Sequence, residues 1–463
     1  MAGQPWQYRV AVIGAGPAGL FAARELVPQG VQVVLLNRDI KPGGLAEYGI
    51  YPDKYKIKNG LRLQFQQILS LEGLTYYGNL TVGTAGDLTL DQLRRLGFQA
   101  LLVTVGAQAT KWLGLPGEDL PGVYHAKDLV YHYNRLPPFS QVRFNLGPRV
   151  AIVGVGNVMA DIAHYLIQHC GVTEVTALAR RGPAEVKFDK KELERIAAHL
   201  DLGAFDAEID RCAGLMRSLG QDPEAARDFV HAAVAAAGPP APPTCPAPAQ
   251  AAGPARFRLQ FLVSPVAIHA SPARRVGSLE LEDNTLVASA GETQARPLGT
   301  HHQLEVDTVI FAIGDRVDAG LGLPVQGAEF IKNQAPRFPV DNQSYEVFDP
   351  AAQQPIADVF VAGWARHASQ GLVGIARRDG VNGARAVLQY LHTRPPQLPL
   401  PPLDEALAVQ GKRLVTRDDL IRLMDAEAAE AARLGLPEFK FDTNEAMLEV
   451  IWRSATKPDS PPI

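Results

Sequence analysis

Two stretches of this chain share one order of apolar and small residues. In Arg9-Val10-Ala11-Val12-Ile13-Gly14-Ala15-Gly16-Pro17-Ala18-Gly19-Leu20 an apolar run leads into Gly-x-Gly-x-x-Gly, and Leu20-Phe21-Ala22-Ala23-Arg24-Glu25-Leu26 then reads as the start of a helix. The prediction is strand, turn, helix. Gly14 permits the tight turn, Gly16 lets the backbone approach a pyrophosphate, and Gly19 lets helix and strand pack closely, with Ala18 in the same helical turn. The helix N-terminus then faces the phosphate charge. An ordinary glycine-rich turn is the alternative. Arg149-Val150-Ala151-Ile152-Val153-Gly154-Val155-Gly156-Asn157-Val158-Met159-Ala160-Asp161-Ile162-Ala163 repeats the order, with Met159 in place of the third glycine. A second dinucleotide domain is therefore expected.

The rest of the pattern is placed around these two turns. Val31-Gln32-Val33-Val34-Leu35-Leu36 predicts a strand ending at Asn37, where a dinucleotide fold usually offers a carboxylate to the adenosine ribose. With an amide there and Asp39 close by, weakened ribose recognition is expected. Residues 43–59 are too rich in Gly and Pro to predict a regular element, 90–96 predict a short helix, and 100–107 a buried strand. Residues 111–148 look irregular, a crossing into a second domain. Glu174-Val175-Thr176-Ala177-Leu178-Ala179 predicts a strand ending in Arg180-Arg181, and arginine at that place suits the 2′-phosphate of NADP where an acid would suit NAD. Residues 187–195 begin a charged helix in which Lys187, Lys190 and Lys191 could face an acidic carrier protein, although charge runs are usually only solvated. Between 232 and 255 the chain is almost all Ala, Pro, Gly and Gln and predicts a flexible insertion. Residues 257–263 and 276–286 predict strands, with Asp283-Asn284 as a turn. Buried strands are expected at 306–315 and 358–364, followed by Gly371-Leu372-Val373-Gly374-Ile375 and a helix through Arg378 to Leu391. A proline-rich bridge at 395–402 precedes helix signals at 404–410 and 418–434.

Composition narrows the class. A chain of 463 residues predicts two or three domains, and 46% hydrophobic with 20% charged residues is ordinary for a globular enzyme. A formal charge of -4 excludes a globally basic nucleic-acid binder. No apolar run reaches bilayer length and the N-terminus has no signal-peptide pattern, so a cytoplasmic protein without a membrane span is expected. Cys170, Cys212 and Cys245 lie far apart, which argues against a redox disulfide, a zinc site or an iron–sulfur cluster. Redox chemistry would then belong to a bound cofactor.

Gly44-Leu45-Ala46-Glu47-Tyr48-Gly49-Ile50-Tyr51-Pro52-Asp53 resembles the Gly-Leu-x-x-x-Gly-[Val/Ile]-x-Pro-Asp segment of adrenodoxin reductase-like ferredoxin–NADP reductases. Gly154-Val155-Gly156-Asn157-Val158-Met159-Ala160-Asp161 resembles the same family's Gly-x-Gly-Asn-Val-Ala-Leu-Asp, and Gly363-Trp364 with Gly371-Leu372-Val373 its flavin-holding segment. Phe439-Lys440-Phe441 and Glu445-Ala446-Met447-Leu448 resemble its C-terminal extension, so the likeness runs from about residue 8 to 452. The resemblance implies two Rossmann-like α/β domains of the glutathione-reductase kind. An FAD domain would comprise 1–112 and 322–463, with an NADP domain at 113–321 inserted between them. It further implies flavin contacts at Leu45, Val82, Trp364, Gly371, Leu372 and Val373, and a place for Glu192 near the nicotinamide carboxamide. Three departures stand out. Lys54 replaces the family's His after Pro-Asp and keeps a charge without an imidazole's proton-carrying range. Ala368-Ser369-Gln370 replaces Gly-Pro-Thr, and Asn37 stands at the ribose position.

The expected activity is hydride transfer from NADPH to FAD, then electron transfer to a ferredoxin-type iron–sulfur protein, by a monomer or homodimer. Lys54, Lys56 and Lys58 are candidate docking residues. The alternatives are an NADPH reductase of quinones or of another flavoprotein, a non-catalytic NADP(H)-sensing or complex-anchoring protein, and a glutamate synthase small-subunit role. The last is disfavoured by the lack of cysteine before Cys170.

Overall fold

The computed structural model describes residues 6–239, 255–289, 292–397 and 413–455. The chain divides into two compact units, Met1–Lys111 with Tyr131–Gln141 and Gly314–Ile463, and Trp112–Val130 with Val142–Ile313.

In the first unit, Tyr8–Ile13 is a strand with every residue buried, the pattern of a strand covered on both faces. Its side chains alternate between two cores. Val10 and Val12 join Phe21, Leu26 and Leu102 on one side of the sheet, while Ala11 and Ile13 join Leu36, Leu101 and Val361 on the other. Six strands lie in the order Glu346–Asp349, Gln354–Val361, Ala100–Val103, Tyr8–Ile13, Val31–Leu36 and Leu74–Tyr77. All neighbours are parallel except the first pair. Register aligns Val361, Val103, Ile13, Leu36 and Tyr77 in one row. The next residues, Ala362, Thr104, Gly14, Asn37 and Gly78, therefore leave the sheet together at its carboxyl edge, where parallel α/β sheets bind ligands. Over one face, helix Pro17–Leu26 crosses helix Val373–Leu391 at contact distance. A Cβ on Gly380 would lie 2.1 Å from the Ala18 carbonyl oxygen.

The second unit repeats this architecture with five parallel strands in the order Val123–His125, Thr308–Phe311, Arg149–Val153, Glu174–Leu178 and Arg256–Gln260. Its edge row delivers Gly154 and Ala179 side by side, one residue beyond Val153 and Leu178. Strands Val263–Ala270, Val276–Ser289 and Glu292–Glu305 form an antiparallel sheet.

Several expectations are corrected. Residues 43–59 are regular after all: Leu45–Tyr48 is one helical turn, Pro52–Lys54 a 3-10 turn, and Tyr55–Leu69 a full helix whose buried Phe65, Ile68 and Leu69 supply the apolar face. The supposed crossing holds strand Val123–His125 and helix Ala126–Tyr133, and its stretch Tyr131–Gln141 packs in the first unit. Asp283-Asn284 is a bulge inside a strand, where the register with its neighbour shifts, and not a turn. Helix Pro223–Ala236 runs into the start of the Ala/Pro stretch, because Ala is a strong helix former until the prolines begin. Residues 240–254 and the helix expected at 404–410 lie outside the described residues. The C-terminal helix is Arg417–Leu434, started by a Thr416/Asp419 capping box and ended by left-handed Gly435.

Candidate functional site

The two glycine turns have the same backbone logic. Gly14 has φ +108° and a Cβ there would meet the Thr104 carbonyl oxygen at 2.6 Å; Gly154 has φ +116° and would meet the Ala312 oxygen at 2.4 Å. Both positions demand glycine twice over. Gly16 and Gly156 differ from them. Their φ values, -76° and -106°, suit any residue, and no protein atom lies within 4 Å of a Cβ added at either. Each is the N-cap of a helix, Pro17–Leu26 or Asn157–His169, with no side chain capping it. Open space in front of uncapped amides fits a pyrophosphate at both turns.

The third position separates the turns. A Cβ on Gly19 would stand 2.0 Å from the Gly14 carbonyl oxygen, whereas Met159 is fully buried in its helix. The first helix must approach its strand as only glycine allows, and the second does not.

Around the first turn, the backbone of Gly43-Gly44 lies across the fingerprint. The Gly43 N–H donates to the Ala15 carbonyl at 2.7 Å, and a Cβ on Gly44 would be 3.2 Å from the Gly16 Cα. Leu45 packs on Tyr48, Tyr131 and Leu136. The Thr104 hydroxyl donates to the Gly14 carbonyl at 2.8 Å, a contact that no sequence periodicity signals. Asn37 is 7% exposed and its amide is already engaged. Its Oδ1 accepts from the Ala15 N–H at 3.0 Å, and its Nδ2 donates to the carbonyls of Asp39 and Lys41 at 2.8 and 3.0 Å. The expected ribose ligand is thus a brace for the glycine loop, with both amide hydrogens used. Val82 is half-buried against the second core of this unit and bridges to Leu88.

At the same sheet edge, Gly363 begins the turn Gly363–Ala365 with φ +67°, and a Cβ on it would strike the Ala18 Cβ at 2.7 Å. Asp379 fixes this turn. It accepts from the Gly363 N–H at 2.6 Å, from Arg366 Nη2 at 2.5 Å and from the Tyr345 hydroxyl at 3.1 Å. Sequence reasoning missed this residue, since nothing local distinguishes one aspartate in a helix from another. Trp364 Nε1 donates to the Gln370 carbonyl at 2.9 Å and closes the loop that leads to Gly371, Leu372 and Val373. Ser369 sits left-handed at φ 57° with its Oγ accepting from the Asp315 N–H at 2.8 Å. Helix Val373–Leu391 then starts with no side-chain cap and no acid in its first turn, and Leu372 is 69% exposed. An uncapped helix start beside bare apolar surface fits a flat ring with an electron-rich edge.

In the second unit, Val155 accepts from the Lys187 N–H at 3.2 Å, and Asn157 is paired both ways with Asp189, Nδ2 to Oδ2 at 2.9 Å and Oδ1 to the backbone N–H at 2.7 Å. The Asn157 side chain therefore shapes the turn, and Val158 is left 43% exposed. Arg180 and Arg181 follow strand Glu174–Leu178, and neither makes an ion pair among the described residues. Glu192, in the short helix Lys190–Glu194, stands 3.7 Å from Arg195, which also binds Asp161 at 2.5 Å.

Lys58 is corrected as a docking candidate. It is 1% exposed, donates to Asn134 Oδ1 at 2.7 Å, and burial, then repulsion from Lys440, lowers its pKa to about 7. Lys56 is exposed and Lys54 half-buried at the end of its 3-10 turn.

A charge network secures the Gly43-to-Tyr48 segment. Glu47, 3% exposed, binds Lys440 at 2.8 Å and Arg62 at 2.5 Å, with Lys41 at 3.7 Å. Burial opposes ionisation of Glu47, but Lys440, Lys41 and Arg62 outweigh it and hold the carboxyl well below the usual carboxylate range. Lys440→Met should leave that carboxylate under-compensated and cost about 3–5 kcal/mol in urea unfolding at neutral pH. Because the folded-state pKa of Glu47 is depressed, its stabilisation is present above its ordinary value of 4.5 and lost as pH falls below it. The variant's deficit should therefore shrink on acidification. A deficit that stays constant down the acid range would show that Lys440 acts through packing alone.

Two uncapped glycine turns, each on its own parallel sheet, define an α/β protein with two Rossmann-type dinucleotide domains. Neither Cys170 nor Cys212 is in a disulfide. No cluster able to hold a metal is present among the described residues.

The sequence profile of the Pyridine nucleotide-disulphide oxidoreductase family matches residues 8–201. NADPH-ferredoxin reductase FprA of Mycobacterium tuberculosis is 28% identical over 426 residues, covering 83% of this chain and 84% of that protein. The mitochondrial NADPH:adrenodoxin oxidoreductase of Homo sapiens is 27% identical over 477 residues, covering 96% and 92%. The solved structure of Mycobacterium tuberculosis FprA in complex with NADPH superposes with a TM-score of 0.78 at 23% identity, over 97% of this chain and all of that one. Over more than four-fifths of its length the chain is thus similar to NADPH-ferredoxin and NADPH:adrenodoxin reductases. No described helix is long and apolar enough to cross a membrane.

Proposed function

We propose that this protein is an NADPH-dependent flavoprotein reductase that moves a hydride from NADPH to FAD and passes the electrons singly to a ferredoxin-type iron–sulfur protein. The observation that carries the reading is the pair of cradles at Gly16 and Gly156, each open in front of an uncapped helix start. The names of the relatives, an NADPH-ferredoxin reductase and an NADPH:adrenodoxin oxidoreductase, support the choice of acceptor. Flavin and nicotinamide, when bound, supply the redox chemistry that no side chain here offers.

The residues divide the work of holding and orienting. Gly14, Gly16, Ala18 and Gly19 present the FAD pyrophosphate to the first helix start, and Val82 offers backbone to the adenine. Trp364, Gly371, Leu372 and Val373 would hold the isoalloxazine, and the uncapped start of helix Val373–Leu391 would favour negative charge on it. Leu45 and its loop close over the cofactor, and Asn37 keeps that loop in place. Gly154, Val155, Gly156, Asn157 and Val158 take the NADPH pyrophosphate, and Arg180 with Arg181 the 2′-phosphate. Glu192 orients the nicotinamide amide, held by Arg195. Lys54 places a fixed positive charge where the family has an imidazole. The reading places the protein in the cytoplasm, as a monomer or homodimer.

The test is NADPH-dependent cytochrome c reduction by the purified protein, with and without an added ferredoxin, beside an NADH control. Strong dependence on ferredoxin with NADPH preferred is the expected result. Rapid quinone turnover with no response to ferredoxin would overturn the acceptor, and a protein without flavin absorbance would overturn the enzyme reading.

A further inference from the structure

Outside the two cradles, the first unit carries a cleft of about 490 Å³ lined by Arg24, Arg377, Arg378, Arg385, Val381, Asn382, Gly374 and Asp341. We propose that this arginine-lined cleft, with the exposed Ile375 at its head, is the docking surface for the acidic face of the iron–sulfur carrier. The inference rests on the function proposed above and adds the place of contact.

The close crossing of two helices builds the cleft. Because Gly380 lets Val373–Leu391 press on the Ala18 backbone, Arg24 from one helix comes beside Arg377 from the other. Both guanidinium groups lie over the Phe21 ring, 4.5 and 4.1 Å from its centroid, so these long side chains are partly ordered before any partner arrives. Residues 374, 377, 378, 381 and 385 recur at three- and four-residue spacing and so share one helix face. Two carboxylates stand against the four arginines. Asp341 is 3.6 Å from Arg378 and Glu25 is 3.0 Å from Arg385, and the Arg378 side chain is 80% exposed. On a chain of net charge -4 this is a local reversal of sign.

The arginines are exposed and the buried amide in the lining, Asn382, donates to Asp341 at 3.1 Å, so a small anion would remain largely hydrated there. A protein surface can meet all four charges at once, and complementary charge steers its approach. At the head of the same helix, Ile375 is 61% exposed, an apolar contact beside the charged residues. Leu372 also borders the proposed flavin position, and Arg377 is only about 7.5 Å further along at 1.5 Å per residue. A carrier seated on the arginines would have its edge at the flavin end of the helix.

The test is charge reversal with Arg378→Glu and Arg385→Glu together, read beside Arg433→Glu on the distant helix Arg417–Leu434. With a purified acidic ferredoxin at low ionic strength, the double variant should raise KM for the carrier about tenfold and flatten the salt dependence of kcat/KM. NADPH–ferricyanide turnover should be unchanged, and Arg433→Glu should match wild type in every assay. The milder pair Arg378→Gln and Arg385→Gln should give an intermediate KM if the reversal disturbs folding. Carrier turnover with an unchanged KM in both pairs overturns the docking surface and leaves the function standing. Wild-type protein that reduces ferricyanide but no ferredoxin overturns the function, and the docking surface with it. A rise in Tm of wild type, but not of the variant, with inorganic tripolyphosphate and no change in ferredoxin KM would make the cleft a small-anion site and overturn the proposal.

Discussion

Gly16→Val is expected to fold, to keep its NADPH site and to emerge from purification without flavin. The backbone at Gly16 has φ -76° and ψ -178°, which valine adopts freely, and no protein atom lies within 4 Å of the new Cβ. With its Cβ in open space, the side chain is expected to displace the group proposed to sit before the helix amides. Filling that space should weaken FAD about 100-fold, near the upper end of what overpacking a tight site costs. Unfolding should match that of deflavinated wild type within about 1 kcal/mol, since valine is a somewhat poorer N-cap than glycine. Gly156→Val is the mirror experiment, with φ -106° and the same empty surroundings. It should stay yellow and lose NADPH reduction of the flavin. Flavin absorbance and titration with NADPH read both. If Gly16→Val retains flavin at wild-type affinity, the phosphate does not sit at that turn. Gly14→Val and Gly19→Val behave differently because they collide with backbone at 2.6 and 2.0 Å, so they should fail to fold.

The second large effect concerns nucleotide choice. Arg180→Ala with Arg181→Ala should raise KM for NADPH about 100-fold and change that for NADH less than about twofold. Each charge-assisted bond to a phosphate is worth about 1.5–3 kcal/mol, and NADH has no 2′-phosphate to lose. Neither arginine makes an ion pair among the described residues, so removing them strands no carboxylate. Steady-state kinetics with both nucleotides decide the matter. Equal losses would mean that the pair holds the protein together and reads no phosphate.

Much of this was legible in the sequence because it is local. A strand buried on both faces is a run of apolar residues wherever it occurs, and a turn needing φ above +100° needs glycine. The residues at 9–20, 149–163 and 306–315 thus announce their elements. Tyr55–Leu69 was hidden by the Gly and Pro before it, since its buried apolar positions, Phe65, Ile68 and Leu69, fall in its second half while Ile57 and Leu63 are exposed. Asp283-Asn284 looks like a turn by composition, but hairpin pairing on both sides keeps it in a strand as a bulge.

The sequence by itself determined the two sheets' starts, the two helix N-termini and the arginines after the second unit's Glu174–Leu178 strand, all within a few residues of one another along the chain. Only the tertiary structure decided which side chains are free to act. Asn37 is consumed by Ala15, Asp39 and Lys41. Lys58 is buried on Asn134, and Asp379 reaches sixteen residues back to hold Gly363. Arg24 meets Arg377 across 353 residues of chain only because Gly380 lets two helices touch. A hydrogen bond or a charge cluster depends on distance in space, and apolar periodicity records only which face of an element is buried.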